Sequence, residues 1–456
     1  MGSDEIMGNG MQPLTFTSTG SIGLDFGTTN SAAATVADCQ PVLAAFRAGR
    51  ETTHTFPSIL YFERRREGTV TRLTSAAGPA ALQQYLETEE KGRLVQSLKA
   101  YLADRRFDGT AVFSQRYTLE DMIALIARHL LTDAAGLAPA AARGAAPVVP
   151  SRVVVGRPVH FSNAESDADD EFALGRLRAA IAQCGFSEIV FEYEPVAAAL
   201  SYEQQLDRDE LILIGDFGGG TSDFSILRVG PTQRRRGRRP DDIIGTDGVA
   251  VAGDAFDRQI IRKLVAPRLG LGSEYFSPPN KFLPVPSWPY ERLERWHHLS
   301  FLNTAKNLEM LEHLRRSALI PERLAAFVHL IRQEMGFRLH EAVRRTKFEL
   351  STETEARFEF RSEPVAITKT VTRLEFEKWI EPEVQLMAGC VDRLLNAAGV
   401  STDDIDHVFL TGGSSFVPAV RNIFVERFGM AKITGGAELT SVATGLSLAA
   451  VRRWPA

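Results

Sequence analysis

The sequence is poor in the features that mark several large classes of protein. Its three cysteines, Cys39, Cys184 and Cys390, are odd in number, far apart and without a Cys-x-x-Cys pair, so neither a disulfide framework nor a zinc site is supported. No apolar run approaches the ~20 residues needed to cross a bilayer. The opening MGSDEIMGNGMQPLTF carries acids and glycines where a secretory leader needs basic residues and an apolar core. A dominant charge is missing too: 52 Lys and Arg against 57 Asp and Glu leave a net charge of −5. Nothing therefore draws the whole chain to nucleic acid or anionic lipid. The expectation is a reduced, cytoplasmic, soluble protein with neither nucleic acid nor membrane as a partner. The chain also lacks a GxxxxGK[ST] loop, and no His-Arg-Asp loop accompanies its two Asp-Phe-Gly triplets. That removes the P-loop and protein-kinase signatures.

What is present is an ordinary globular balance, 44% hydrophobic and 24% charged over 456 residues, a length that predicts two to four domains. The most informative feature is a repeat. Ser21-Ile-Gly-Leu-Asp-Phe-Gly-Thr-Thr-Asn-Ser31 runs into AAATVA, and Leu211-Ile-Leu-Ile-Gly-Asp-Phe-Gly-Gly-Gly-Thr-Ser-Asp223 runs into FSILRV. Each copy reads as a strand, an Asp, a Gly/Thr-rich tight turn and a second strand. Two distant copies predict two homologous halves whose hairpins face each other.

Between the copies, FPSILYF and SRVVVGRPVHF read as strands and DEFALGRLRAAIAQCGF as a helix stopping near Gly185. EIVFEYEPVAAALSYE reads as a strand leading into a helix with an early proline. Strands alternating with helices predict an α/β fold. Thr132 to Pro150 is expected to be a surface connection. The five arginines of PTQRRRGRRPDD read as a solvated loop partly neutralised by Asp241 and Asp242, because aromatic residues for base stacking are missing. About Leu269 to Arg316 reads as irregular, with His297 and His298 as surface residues rather than metal ligands. Pro321 to Leu350 has helical spacing, with Phe327, Ile331, Met335, Leu339 and Val343 on one face.

A Gly/Thr-rich turn presents several unobstructed backbone N–H groups, which makes a concave anion site. An Asp pointing into such a site would repel a bare phosphate; it makes sense when a divalent cation with its waters sits between them. Two hairpins with Asp25 and Asp216 at their bends would clamp a triphosphate–metal complex from two sides. Glu194 and Asp223 would add acids for metal-bound waters, and Thr221 would orient an attacking water. A third glycine element, His407-Val-Phe-Leu-Thr-Gly-Gly-Ser-Ser-Phe-Val-Pro418, places a Gly pair between a strand and a helix, where a nucleoside can approach the backbone.

DFGTTNS, EPVAAAL, DFGGGTSD, AGDAFD and TGGSSFVP, in that order from about Ser21 to Ala450, resemble the nucleotide-binding domain of the 70-kilodalton heat-shock chaperones of DnaK type. Within that family, VVGRPVHF and VFEYEPVAAALSYE resemble the truncated YegD-like chaperones. The resemblance implies the actin-like ATPase fold: two homologous lobes, each a ribonuclease-H-like sheet flanked by helices, with a nucleotide cleft between them. The lobes would be 18–208 and 209–456, with a helical insertion at about 265–350. It implies a slow ATP hydrolase using ATP/ADP and Mg²⁺. Asp25, Gly27, Thr28, Thr29, Asn30, Gly218, Gly219 and Gly220 would hold the phosphates. Asp25 and Asp216 would hold the metal through waters, with Lys99, Glu194, Asp216, Thr221 and Asp223 as the catalytic set. Gly253, Asp254, Arg344, Lys347, Phe348, Ser351, Gly412, Gly413, Ser414 and Phe416 would hold the nucleoside, and Pro158 matches a proline that relays nucleotide state.

The departures are informative. Phe348 and Phe416 stand where the family sandwiches the base between arginines, which points to aromatic stacking or, for each ring alone, to core packing. Arg344 stands in the place of an acid at the ribose. Val190 and Tyr193 replace residues that dock J-domain co-chaperones, so that docking is not expected, although protein clients or co-chaperones remain expected partners. The chain ends at VRRWPA, and the interdomain linker and peptide-binding domain of the family are not expected in it. A small-molecule kinase of the sugar-kinase branch and an actin-like filament protein are the alternatives, since both share the fold.

Overall fold

The structure, a computed structural model, describes residues 15–17, 20–49, 51–67, 70–88, 92–113, 115–134, 148–236, 240–295, 302–435 and 440–455. Most of the expected 132–150 connection, and all of His297 and His298, lie outside the described residues. The chain divides into two compact units. One holds Met1–Ala250, Ala388–Ser415 and Phe424–Ala456, the other Val251–Met387 and Phe416–Ile423. Compactness thus groups the chain differently from the expected halves 18–208 and 209–456, because both large sheets fall in the first unit.

Those two sheets repeat one plan. In the first, the order is Glu188–Tyr193, Arg152–Arg157, Ile22–Asp25, Asn30–Ala37 and Gln40–Leu43, with Phe56–Pro57 added beside Asn30–Ala37. In the second it is Ile433–Gly435, His407–Thr411, Glu210–Phe217, Ser222–Val229 and Ile243–Val249, taken from the same side. In each, two parallel strands lie beside an antiparallel hairpin that ends in a further antiparallel strand. In chain order each pair of parallel strands is joined by a helix, Asp167–Ala182 or Pro418–Phe428, and followed by another, Glu194–Glu203 or Ser441–Arg453. The internal repeat seen in the motifs therefore extends to the topology.

The helices Glu194–Glu203 and Ser441–Arg453 pack on each other, the former against strands of both sheets and the latter against the first sheet. Between them lies a core of Val154, Val196, Ala197, Ile212, Ile214, Leu227, Phe409, Val442 and Leu446, each aliphatic or aromatic side chain contributing about 1.5–3 kcal/mol when buried. The crossing is close enough to dictate composition. A Cβ on Gly445 would lie 1.6 Å from the Ala197 carbonyl oxygen, so no side chain fits there. The outer face of the first sheet is covered by Leu119–Asp133 and Asp167–Ala182, whose buried Leu125, Ile126, Leu177 and Ile181 join its core.

In the second unit, Tyr290 stacks on Phe327 at 4.7 Å and donates to the Leu269 carbonyl. Two expectations change here. The region read as irregular contains a hairpin, Glu274–Ser277 with Lys281–Pro284, and the helices Trp288–Leu293 and Ala305–Ser317. The last buries only Leu311 and Leu314, too thin an apolar stripe to show periodicity. The helix read over 321–350 is two, Pro321–Arg332 and Gly336–Thr352. Glu334 between them is left-handed at φ 49°, although Phe327, Ile331, Leu339 and Val343 are buried as expected.

The arginine-rich stretch begins as a short helix, Pro231–Arg236, rather than a loop, and is tied to its surroundings. Arg234 donates to the carbonyls of Glu203, Gln204 and Leu206, and Arg236 forks onto Asp242 at 3.0 and 2.5 Å. Among the described residues no helix is long and apolar enough to cross a membrane.

Candidate phosphate and metal site

The two hairpins share one plan, but their turns differ in residues and only the second carries an acid opposite its Asp. Phe26 and Phe217, which follow the two aspartates, are fully buried and anchor each turn to its sheet. The second turn is closed by the Gly218 N–H donating to the Thr221 carbonyl at 2.9 Å. The first is pinned from outside by the Ser58 N–H on the Thr29 carbonyl at 2.8 Å. Asp25 pairs across its hairpin with Ala32, whereas Asp216 pairs with Asp223. Two acids directly opposite on one face repel each other, and both are buried.

Two further groups enter from elsewhere in the chain. Ser97, buried and left-handed at φ 56°, turns the backbone into the short helical turn Leu98–Tyr101. That turn delivers Lys99, whose Nζ lies 2.5 Å from Glu194 Oε1. Glu194 is the first residue of its helix, ahead of Pro195, and both members of the ion pair are about nine-tenths buried.

The electrostatics follow from four acids sharing one lysine. Burial, then Glu194, pushes Asp25 up to about 7 against the pull of Lys99. Burial and Glu194 push Asp223 up to about 7, although it accepts hydrogen bonds from Thr221 and from the Val159 N–H at 2.8 Å. Asp216 is raised by burial, then by Glu194, Asp25 and Asp223. Burial lowers Lys99, but Glu194 and Asp25 outweigh it and hold the ammonium above its ordinary value. Asp25 thus lies close enough to Asp216 to raise it. The cluster lacks positive charge. Its hard carboxylate oxygens suit Mg²⁺ or Ca²⁺. Among the described residues no group of three His, Cys, Asp or Glu side chains is placed to ligate a metal directly, so a cation here would be held through waters or ligand oxygens.

The third glycine element abuts the same place. Thr411 is the register partner of Asp216 and bonds to Ser441 Oγ at 2.9 Å. Gly412 follows at φ +84°, and a Cβ on it would sit 2.0 Å from the Phe217 carbonyl oxygen, so only glycine fits. Gly413 is exposed and Ser414 buried.

The second unit gathers most of its own expected residues. Lys347 Nζ binds Asp257 at 2.8 Å and the Gly253 carbonyl at 3.0 Å. Ser351 Oγ donates to the Lys347 carbonyl. Burial, then Asp257, raises Asp254 against Lys347, Arg258 and Arg344. Arg344 lies over the Phe337 ring, 5.7 Å from its centroid. Phe348 is 68% exposed and Phe416 46%, so core packing accounts for neither ring.

Two contributors carried little signal in the sequence. Val159 acts through its backbone N–H, which has no residue signature. Asp257, the partner of Lys347, lies within AGDAFD, and its i+3 spacing from Asp254 was the available clue.

A model of the family described as Hsp70 protein matches residues 329–452. The chaperone protein DnaK of Thermus thermophilus is 24% identical over 435 residues, covering 90% of this chain and 57% of that protein. The chaperone protein DnaK of Thermotoga petrophila is 25% identical over 418 residues, covering 90% and 55%. The chain thus spans just over half the length of these relatives.

Proposed function

Because the chain belongs to the Hsp70 family and has its actin-like ATPase fold, we propose that it binds Mg·ATP at its paired hairpins and hydrolyses it slowly to ADP. On this reading it is a nucleotide-dependent switch or chaperone whose state is read by a partner protein. The observation that carries the proposal is the cluster of four acids and one lysine at the tips of two glycine-turn hairpins, with two aspartates raised to about 7. Such a site is electrostatically incomplete by itself.

Asp25 and Asp216 would hold a hydrated Mg²⁺, supported by Glu194 and Asp223; when bound, the ion neutralises phosphate charge. The N–H groups around Gly27 to Asn30 and Gly218 to Gly220 would bind phosphate oxygens, with the Thr28 and Thr29 hydroxyls. Lys99 would exchange part of its contact with Glu194 for the terminal phosphate. Thr221, hydrogen-bonded to Asp223, would orient the attacking water. Hydrolysis would come from positioning and charge stabilisation. For the nucleoside we propose the residues that the family resemblance assigns: Gly253, Asp254, Arg344, Lys347, Phe348, Ser351, Gly412, Gly413, Ser414 and Phe416. The two exposed rings would meet the base, and the halves 18–208 and 209–456 would act as the two lobes.

The test is single-turnover hydrolysis by stoichiometric protein with Mg²⁺ and no other substrate. Slow conversion to ADP that is lost in Asp216→Asn is the expected result. Failure to bind ATP refutes the proposal. Tight binding without conversion refutes the hydrolase and leaves a nucleotide sensor or a kinase awaiting its acceptor.

A further inference from the structure

One hydroxyl beside the phosphate turn has no role in the proposal above. It belongs to the segment 158–163, which follows the strand Arg152–Arg157. The Val159 N–H is held by Asp223 at 2.8 Å. Asn163 Nδ2 donates to the carbonyl of Ala100, next to Lys99, at 3.0 Å. Between them, buried Asp170 accepts the Phe161 N–H at 2.7 Å and bonds to His160 Nδ1 at 2.7 Å. The Phe161 ring is itself in the core. A segment tied at so many points has little freedom, so the side chain it presents is placed by construction.

That side chain is Ser162. Its Oγ lies 2.6 Å from where a Cβ on Gly220 would stand, and Thr28 Oγ1 lies 3.9 Å from the same point. Three separate elements therefore meet at Gly220: the first hairpin through Thr28, the second through the glycine, and this segment through Ser162. Ser162 is half-buried, and among the described residues its hydroxyl has no hydrogen-bond partner, while the polar groups around it in the segment are bonded. A positioned, unpaired hydroxyl facing an anion-binding turn is a donor awaiting an acceptor.

We propose that Ser162 is a phosphate-binding residue whose hydroxyl donates to the terminal phosphate of the nucleotide. This rests on the reading of the hairpins as the triphosphate site. The terminal group is assigned because it is the one that two opposed turns meet together. Ser162 makes the site distinguish ATP from ADP by a contact that ADP lacks. A hydrogen bond to a charged acceptor corresponds to roughly a tenfold change in affinity.

The test measures Mg·ATP and Mg·ADP binding by calorimetry, with thermal melts, on the full chain and on Ser162→Ala and Ser162→Thr. Expected are an approximately tenfold loss of ATP affinity in Ser162→Ala, less than about a twofold change for ADP, and recovery of ATP binding in Ser162→Thr. Equal losses for both nucleotides, or an ATP affinity unchanged in Ser162→Ala, overturn the proposal. If Ser162→Ala melts early, Ser162→Cys, close in size and a weak donor, is held to the same outcomes. Normal ATP binding by the unsubstituted protein with an insensitive Ser162→Ala removes only the serine's role. Failure of the unsubstituted protein to bind either nucleotide removes the parent reading and this one with it.

Discussion

Asp223 is 1% exposed and stands directly across the hairpin from Asp216, so replacing it with asparagine should stabilise the ligand-free protein. The asparagine side chain would keep an oxygen for the Val159 N–H and remove the charge. The native carboxyl titrates at about 7 against 3.8 when unburied. Below the lower value both folded and unfolded states hold the proton, and above about 7 both have lost it. Between them only the folded state holds it, so stability falls as pH rises through that interval and reaches its floor above about 7. Linkage gives a penalty of about 1.7 kcal/mol at pH 5 and about 4 kcal/mol at pH 8 as upper values, because the neighbouring acids and Lys99 readjust.

Urea denaturation of the wild type and Asp223→Asn at both pH values measures the difference. The variant should be more stable at pH 8, by roughly 2 kcal/mol more than at pH 5. A pH-independent difference, or a variant less stable at pH 8, would refute the claim that uncompensated charge strains the site. The Mg²⁺ of bound Mg·ATP would set its own charge against the aspartates, so adding both should stabilise the wild type more than the variant at pH 8.

Three further outcomes are expected. Asp216→Asn should abolish Mg²⁺-dependent hydrolysis with the fold intact by circular dichroism, and Lys99→Ala should lower the hydrolysis rate more than ATP affinity; a lysine variant that lost only binding would reassign Lys99. Gly445→Ala should destabilise the protein by about 3 kcal/mol or more, since the new methyl would overlap the Ala197 carbonyl, 1.6 Å from its Cβ; a melting temperature within a degree of wild type would contradict that packing. Phe348→Ala should change stability by less than about 0.5 kcal/mol because the ring is exposed, yet weaken nucleotide binding about fivefold or more if it stacks on a base; unchanged affinity would remove it from the nucleoside set.

Much of the fold was legible because its signals are local. The Asp-Phe-Gly hairpins, the EPVAAAL helix start and the Gly412–Gly413 turn each follow from turn chemistry and apolar alternation within about a dozen residues, and each stands where expected. The misses share a physical cause. Ala305–Ser317 is a helix with two buried residues, so little periodicity is written into it, and the break depends on left-handed Glu334, announced only by Gly336 two residues on, a single glycine that a helix can also tolerate. Register is non-local too. Nothing in DFGTTNS or DFGGGTSD says that Asp25 faces Ala32 while Asp216 faces Asp223.

That asymmetry bears on how a duplicated fold acquires one site. The two halves share strand order and helix placement, but only the second hairpin carries opposed acids, and only the first half supplies Lys99 and Glu194. The second hairpin therefore holds the excess negative charge, and the nearest countercharge comes from the other half, across the Glu194–Glu203 and Ser441–Arg453 crossing. Lys99 is shared: Glu194 is its direct partner, while Asp25 and Asp223 also hold it charged. Neutralising Glu194 frees that ammonium for the aspartates, so Glu194→Gln should bring Asp223 down from about 7 and lessen the fall of stability towards pH 8. If the pH dependence of Glu194→Gln instead matched that of wild type, the aspartates would be raised by burial alone, and the coupling between the halves through Lys99 would be absent.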